Sequence, residues 1–210
     1  KMKKFRTFFF TCGILMAASE IWKQLTLTFR INHGAYDWWY FPFQLCSIPM
    51  YICLILPVIS NKKYPRLHQI LLTFLMDYCL LAGIFAFFNT SDMHYYYAPL
   101  TLHSFLWHIL MILIGITAGL TRQADYSLSG YLGGTLLYAG LCGTATLFNL
   151  TLCQYGDLNM FYISPHYPMT QVVFSEITKQ FGNSIGIWSY LLSIPVGAGV
   201  FHMMWKKWAK

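Results

Sequence analysis

Two histidines, His103 and His108, stand inside an apolar run from Pro99 to Leu120. A run of about 20 such residues crosses a bilayer, and ionisable groups within one are costly enough that they usually mark a working site. A thiol stands near the start of another apolar run, in the segment Phe43-Gln44-Leu45-Cys46-Ser47-Ile48-Pro49. An imidazole serving a thiol nucleophile is the chemistry of acyl transfer, and at membrane depth the matching substrate is an ester that lives in lipid.

The positions of these groups can be read from helix geometry. Pro42 suits the first position of its helix, where its missing N–H would be unpaired anyway. Cys46 would then lie about one turn below a helix N-terminus, where the dipole favours negative charge. Pro49 cannot donate a backbone bond, so the Leu45 carbonyl is expected to be free beside the thiol. Hydrocarbon surroundings work against a thiolate, and a packing role for Cys46 is the alternative. At about 1.5 Å rise per residue, Cys46 and His103 lie roughly 6 Å below the starts of their runs and His108 roughly 13 Å below, so either imidazole can meet the thiol. Five positions apart, the two histidines diverge by about 140° and cannot both point straight at one partner.

Other polar residues reach the same level. Glu20 and Lys23 share a face at the outer end of the first run, where an interfacial ion pair with Lys23 snorkelling to the surface is expected. Asp77 could orient an imidazole as the third member of a triad, or bond Tyr or Ser groups across a bundle. Asn149, Asn159 and Tyr155, at or beyond the end of the fifth run, could donate to an ester carbonyl or a headgroup phosphate. The candidate catalytic residues are therefore Cys46, His108 and His103, and the candidate substrate contacts are Gln44, Ser47, Asn149, Asn159 and Glu20. No metal site, cofactor or disulfide framework is legible, since the six cysteines form no CxxC pair.

The elements that must hold these groups are membrane helices. The 210 residues are 57% hydrophobic and 10% charged, and the mean hydropathy of +0.48 excludes a soluble domain of this size. Six continuous runs occur, at about residues 5–27, 42–59, 70–88, 99–120, 131–150 and 184–205. Continuity favours helices over barrel strands, which alternate with period 2. With the N-terminus cytoplasmic, 11 of the 14 basic residues fall on the cytoplasmic side, and only Lys23, Arg30 and Lys179 fall opposite. That asymmetry predicts an all-α protein of six transmembrane helices with both termini cytoplasmic, in one domain over residues 1–210. It also accounts for the net charge of +7 without any nucleic acid. Aromatic residues, Trp38, Trp39, Tyr40 and Tyr95 to Tyr97 among them, belong to the opposite interface. The basic, apolar start could be read as a cleaved signal peptide; the expectation is instead a retained first span, with Met2 the natural start and Lys1 an addition.

The long connection 151–183 carries Met169, Val173 and Ile177 at four-residue spacing, which predicts a short interfacial helix, a lid or a packing element, ended by Gly182. Gly130 and Gly134, Ala139 and Gly143, and Gly182 and Gly186 mark close helix approaches.

Several stretches together resemble the YwaF-type integral membrane proteins and their eukaryotic transmembrane relatives described as acyltransferases. They are Gln44-Leu45-Cys46-Ser47-Ile48, Leu81-Ala82-Gly83 followed by Thr90 and Asp92, Ser104-Phe105-Leu106-Trp107-His108, and Asn149, Gly156, Asn159, Met160 and Phe161. The resemblance runs from about Pro42 to the C-terminus. It implies a six-helix fold with Cys46 as nucleophile and His108 as base, in a multi-pass protein of the bacterial cell membrane. The chain departs from the pattern at Gln44, where a His is usual, and at Trp107, where a Ser is usual. The expected function is acyl transfer or hydrolysis on a membrane lipid ester, with Asn159 or Gln44 steadying the oxyanion. The rival is a small-molecule, vitamin-like carrier or substrate-binding membrane subunit, since polar groups at one depth also suit a ligand pocket. A purely structural membrane protein comes third.

Overall fold

The computed structural model describes residues 2–59 and 63–209. Lys1, Lys62 and Lys210, counted among the basic residues of the orientation argument, lie outside them. The described residues are helical, with no strand among them. Helix α1 covers Met2–Leu25 and continues as a π-helical turn, Thr26–Ile31. A 3-10 turn, Leu45–Ser47, leads into α2, Ile48–Ile55. Helix α3, Pro65–Phe74, passes through a π-turn, Leu75–Cys79, into α4, Leu80–Phe85. Helices α5, Ala98–Leu120, and α6, Leu128–Thr151, are long and unbroken. The short α7, Val172–Phe181, precedes α8, Asn183–Ala209.

Local chemistry sets several of these boundaries. Pro65 and Pro99 sit in the first turns of α3 and α5, where a missing N–H costs nothing. Ser127 caps α6 by accepting from Gly130 N–H at 3.3 Å. Gly182, at φ +91°, ends α7 as the sequence suggests, because that conformation penalises any Cβ. Pro195 lies inside α8 and frees the Leu191 carbonyl, which accepts from the Tyr138 hydroxyl at 3.3 Å.

Among the described residues four helices are long and apolar enough to cross a membrane: Pro65–Phe85, Ala98–Leu120, Leu128–Thr151 and Asn183–Ala209. The protein is therefore a multi-pass membrane protein. Six apolar runs resolve differently at two places. Helix α1 has the length, but its charged and polar residues dilute its hydropathy. The second run contains a helix only over Leu45–Ile55; at about 1.5 Å per residue its 11 residues extend roughly 16 Å, half the hydrocarbon thickness. Its first turn is occupied by Pro49, not Pro42. Cys46 accordingly sits in the 3-10 turn ahead of α2 rather than one turn inside it. The Leu45 carbonyl, expected to be free, accepts from Ile48 N–H.

The core gathers around the π-turn, whose five residues are all buried. Phe74, Tyr78 and Tyr138 stack at centroid separations of 5.0 and 5.2 Å. Gly115 lets α5 press against it, since a Cβ there would stand 2.7 Å from Leu80 Cβ. At one end of the bundle Arg6 bonds the Pro57 carbonyl, Arg66 pairs with Asp125, and Arg122 lies 5.4 Å over the Trp208 ring. Asp125, in the α5–α6 connection, is partly buried, which opposes its charge, but Ser127 and Arg66 outweigh that and hold its carboxyl below the usual range. The stripe expected in the long connection is revised: Val173 is exposed, Met169 is buried ahead of the helix, and α7 packs on α8 through Phe174 against Tyr190 and Thr178 against Gly186.

Candidate functional site

The 3-10 turn that carries Cys46 is fastened to α5. The Cys46 carbonyl accepts from Trp107 Nε1 at 3.0 Å. Trp107, where the resemblance led to a Ser, is buried and joins the Cys46 backbone to the residue beside His108. His103 packs between two indoles, 5.7 Å from the Trp22 ring and 5.5 Å from that of Trp107. Its Nε2 is buried without a hydrogen-bond partner among the described residues. His108 turns the other way round α5, towards Phe87 at 6.5 Å, and its Nδ1 lies 2.8 Å from the Ser104 carbonyl. A carbonyl only accepts, so Nδ1 carries the proton and Nε2 presents its lone pair. The 140° divergence read from the sequence is realised. Among the described residues no hydrogen bond joins either imidazole to the Cys46 sulfur.

A second set of residues holds the segment that follows α6. The segment 159–164 follows the end of α6, and three amide side chains hold it in place. Gln44 donates through Nε2 to the Asn159 carbonyl at 2.9 Å and accepts at Oε1 from Phe161 N–H at 2.8 Å. Asn149 accepts from Met160 N–H at 2.6 Å and donates back to the Met160 carbonyl at 3.0 Å. Asn159 accepts at its own Oδ1 from Ser164 N–H at 2.9 Å. The amides of Gln44, Asn149 and Asn159, expected as substrate contacts, are thereby engaged in this clamp. Phe161 and Tyr162 both have φ +58°, an uncommon conformation for residues with a Cβ. Tyr155 is exposed and stacks on Trp38 at 5.8 Å.

Glu20 and Lys23 correct the snorkelling expectation. Lys23 Nζ lies 2.9 Å from Glu20 Oε1, and the two side chains are only 15% and 7% exposed. Gln24 spans from Glu20 to the Tyr40 carbonyl, at 2.7 and 2.6 Å, and closes the pair off from the interface. The Lys23 ammonium points inward, within electrostatic reach of Cys46, His103 and His108. Ser47 is buried beside the thiol.

Asp77 does orient an imidazole, but a different one. Its Oδ2 lies 2.7 Å from His202 Nδ1, and His202 Nε2 lies 3.0 Å from the Ser127 carbonyl. The carboxyl is fully buried on the π-turn. This pair ties α8 to the core and to the start of α6. The described residues contain no group of three or more His, Cys, Asp or Glu side chains able to hold a metal.

A profile of the TMEM164 family matches residues 1–205. The chain belongs to the TMEM164 family. No curated protein and no solved structure matches it. The TMEM164 family is a eukaryotic transmembrane family, which agrees with the eukaryotic side of the resemblance; the YwaF-type name and a bacterial membrane do not come with it. In this TMEM164 family member, sequence reasoning missed His202, the partner of Asp77. His202 carries a signal in hindsight, a histidine late in an apolar run opposite Asp77 in another.

Proposed function

We propose that the protein is an intramembrane acyltransferase or hydrolase acting on a lipid ester, with Cys46 as nucleophile and His108 as base. The observation that carries the reading is the junction of the two elements: Trp107 binds the Cys46 carbonyl, and its neighbour His108 has its Nδ1 committed to a backbone carbonyl. A committed Nδ1 leaves Nε2 to accept a proton, the orientation a general base requires. The Cys46 thiol gives its proton to Nε2, the sulfur attacks the ester carbonyl, and the imidazolium protonates the departing alcohol. The acyl thioester then passes its chain to a lysolipid, an alcohol or water, and the thiol is restored. Cysteine needs only modest activation for such steps. The inward ammonium of Lys23 favours negative charge in the same region, which supports the reading further.

The test is to trap the thioester. With diacyl phospholipid labelled in its acyl chains, label sensitive to hydroxylamine is expected on Cys46 in the wild type and in Cys53→Ala, and not in Cys46→Ala. Label on another residue, or none with turnover intact, would sink the proposal. Tight binding of a water-soluble ligand without lipid turnover would establish the carrier class instead.

The site needs a defined membrane side, and the proposed topology is six crossings with both termini cytoplasmic. The second crossing would combine the non-helical stretch from Pro42 with the short helix, because non-helical backbone is tolerated at depth when protein surrounds it. The outward face of α1, with Phe10, Ile14, Ile21 and Leu25 exposed, suits lipid contact. A cysteine introduced at Gln123 should be shielded from an impermeant thiol reagent in intact cells and labelled after permeabilisation. Labelling in intact cells would reverse the orientation.

A further inference from the structure

The stretch Leu81-Ala82-Gly83 carries part of the family resemblance but no group able to react. It lies in α4, within the most enclosed of the four long spans. Leu81 packs against α8 at a notch left by Gly197, where a Cβ would stand 3.0 Å from Leu81 Cδ1. Gly83 packs against α5. A Cβ there would stand 3.2 Å from both the His108 carbonyl oxygen and the Ile112 nitrogen, and 3.0 Å from Ile112 Cγ1. Those two backbone atoms are acceptor and donor in the α5 ladder, so no change of rotamer can relieve the contact.

Phe87, about one turn further on, bears on the same residue. Its ring centroid lies 6.5 Å from that of His108, edge to face, and 6.0 Å from that of Phe105. His108 is thus held at three points: its carbonyl against Gly83, its ring against Phe87, and its Nδ1 at 2.8 Å from the Ser104 carbonyl. The last two fix the rotation of the imidazole, and the first fixes how closely the α5 backbone approaches α4. Helix α4 also packs against the Leu45–Ser47 turn that carries Cys46. That turn is tied to α5 in its own right, through Trp107 Nε1 and the Cys46 carbonyl at 3.0 Å. The thiol's turn, α4 and α5 therefore meet pairwise, and Gly83 sets the separation of the two helices.

We infer that Gly83 is a positioning residue for His108: its missing side chain lets α4 close on the backbone of that histidine and so sets where the imidazole stands relative to the Cys46 turn. Because Leu81 backs α4 against α8, a Cβ at position 83 would push α5 away. The imidazole would follow, since its Nδ1 is fixed to a carbonyl of the same helix. Trp107, the residue before it, would draw on the Cys46 carbonyl at the same time. The inference rests on the acyl-transfer reading, in which His108 takes the thiol's proton.

The experiment compares Gly83→Ala, His108→Ala and the double variant in acyl transfer from labelled phosphatidylcholine to lysophosphatidylcholine. A misplacement of 1 Å costs about 10²-fold in rate, so a shift of a few tenths of an ångström in Gly83→Ala is expected to lower kcat by about 3–10-fold with KM unchanged. In the His108→Ala background the same change should cost nothing further, because no base is left to misplace. An equal fractional loss in both backgrounds, or a wild-type rate in folded Gly83→Ala, overturns the positioning role and leaves His108 standing as the base. Full turnover in His108→Ala overturns the base assignment and the inference together. If Gly83→Ala does not fold, Phe87→Leu tests the same hold from a partly exposed position. It should lower kcat in the wild-type background alone; no loss, or an equal loss in both backgrounds, counts against the inference.

Discussion

Replacing Asp77 by alanine or His202 by leucine is expected to lower the unfolding free energy by about 3–5 kcal/mol, because each substitution strands a buried polar partner. Asp77 is fully buried and His202 nearly so, and both imidazole nitrogens face oxygen acceptors. One proton lies between Nδ1 and Oδ2 in either charge state of the pair, and a second joins Nε2 to the Ser127 carbonyl. Removing His202 leaves a carboxyl in the core with no donor; its Oδ1 already has none. Asp77→Leu combined with His202→Leu should cost much less than the sum of the single changes, since apolar groups of similar volume demand no partner. Unfolding in mixed micelles with increasing dodecyl sulfate would measure this. Single variants within about 1 kcal/mol of wild type would show that the pair carries no such burden.

Cys46→Ala and His108→Ala should each abolish most turnover, with His108→Ala slowing it by about 10²–10⁴-fold, the usual contribution of a positioned base. Removing both should cost little more than removing either, because nucleophile and base act as one unit. His103→Gln provides the contrast. Its ring is packed between Trp22 and Trp107, and glutamine should retain turnover if His108 is the base. Should His103→Gln instead lose as much as Cys46→Ala while His108→Ala survives, the base assignment moves five residues along α5. Multiplicative losses in the Cys46/His108 double variant would separate the two groups altogether.

The function of Trp107 shows where the motif reading ended. From the pattern it was a departure; in the structure its indole binds the Cys46 carbonyl and is part of what brings the thiol to α5. Gln44 likewise stood where a His was expected and serves as both donor and acceptor to the turn above the site. A linear pattern records which residue is unusual, and only the partner's position tells whether the change removes a function or supplies one.

The sequence by itself determined the membrane class and the helical architecture. These follow from quantities additive along the chain: hydropathy over about 20 residues and the angular step of a helix. The tertiary structure alone decided which imidazole Asp77 holds, that Lys23 turns inward, and that the second run holds only a short helix. The long-range ones depend on bonds between residues far apart in sequence: 125 positions for Asp77 and His202, 117 for Gln44 and Phe161. Local propensity gives such contacts no signal, because their free energy appears only when packing has removed the alternative of water or lipid.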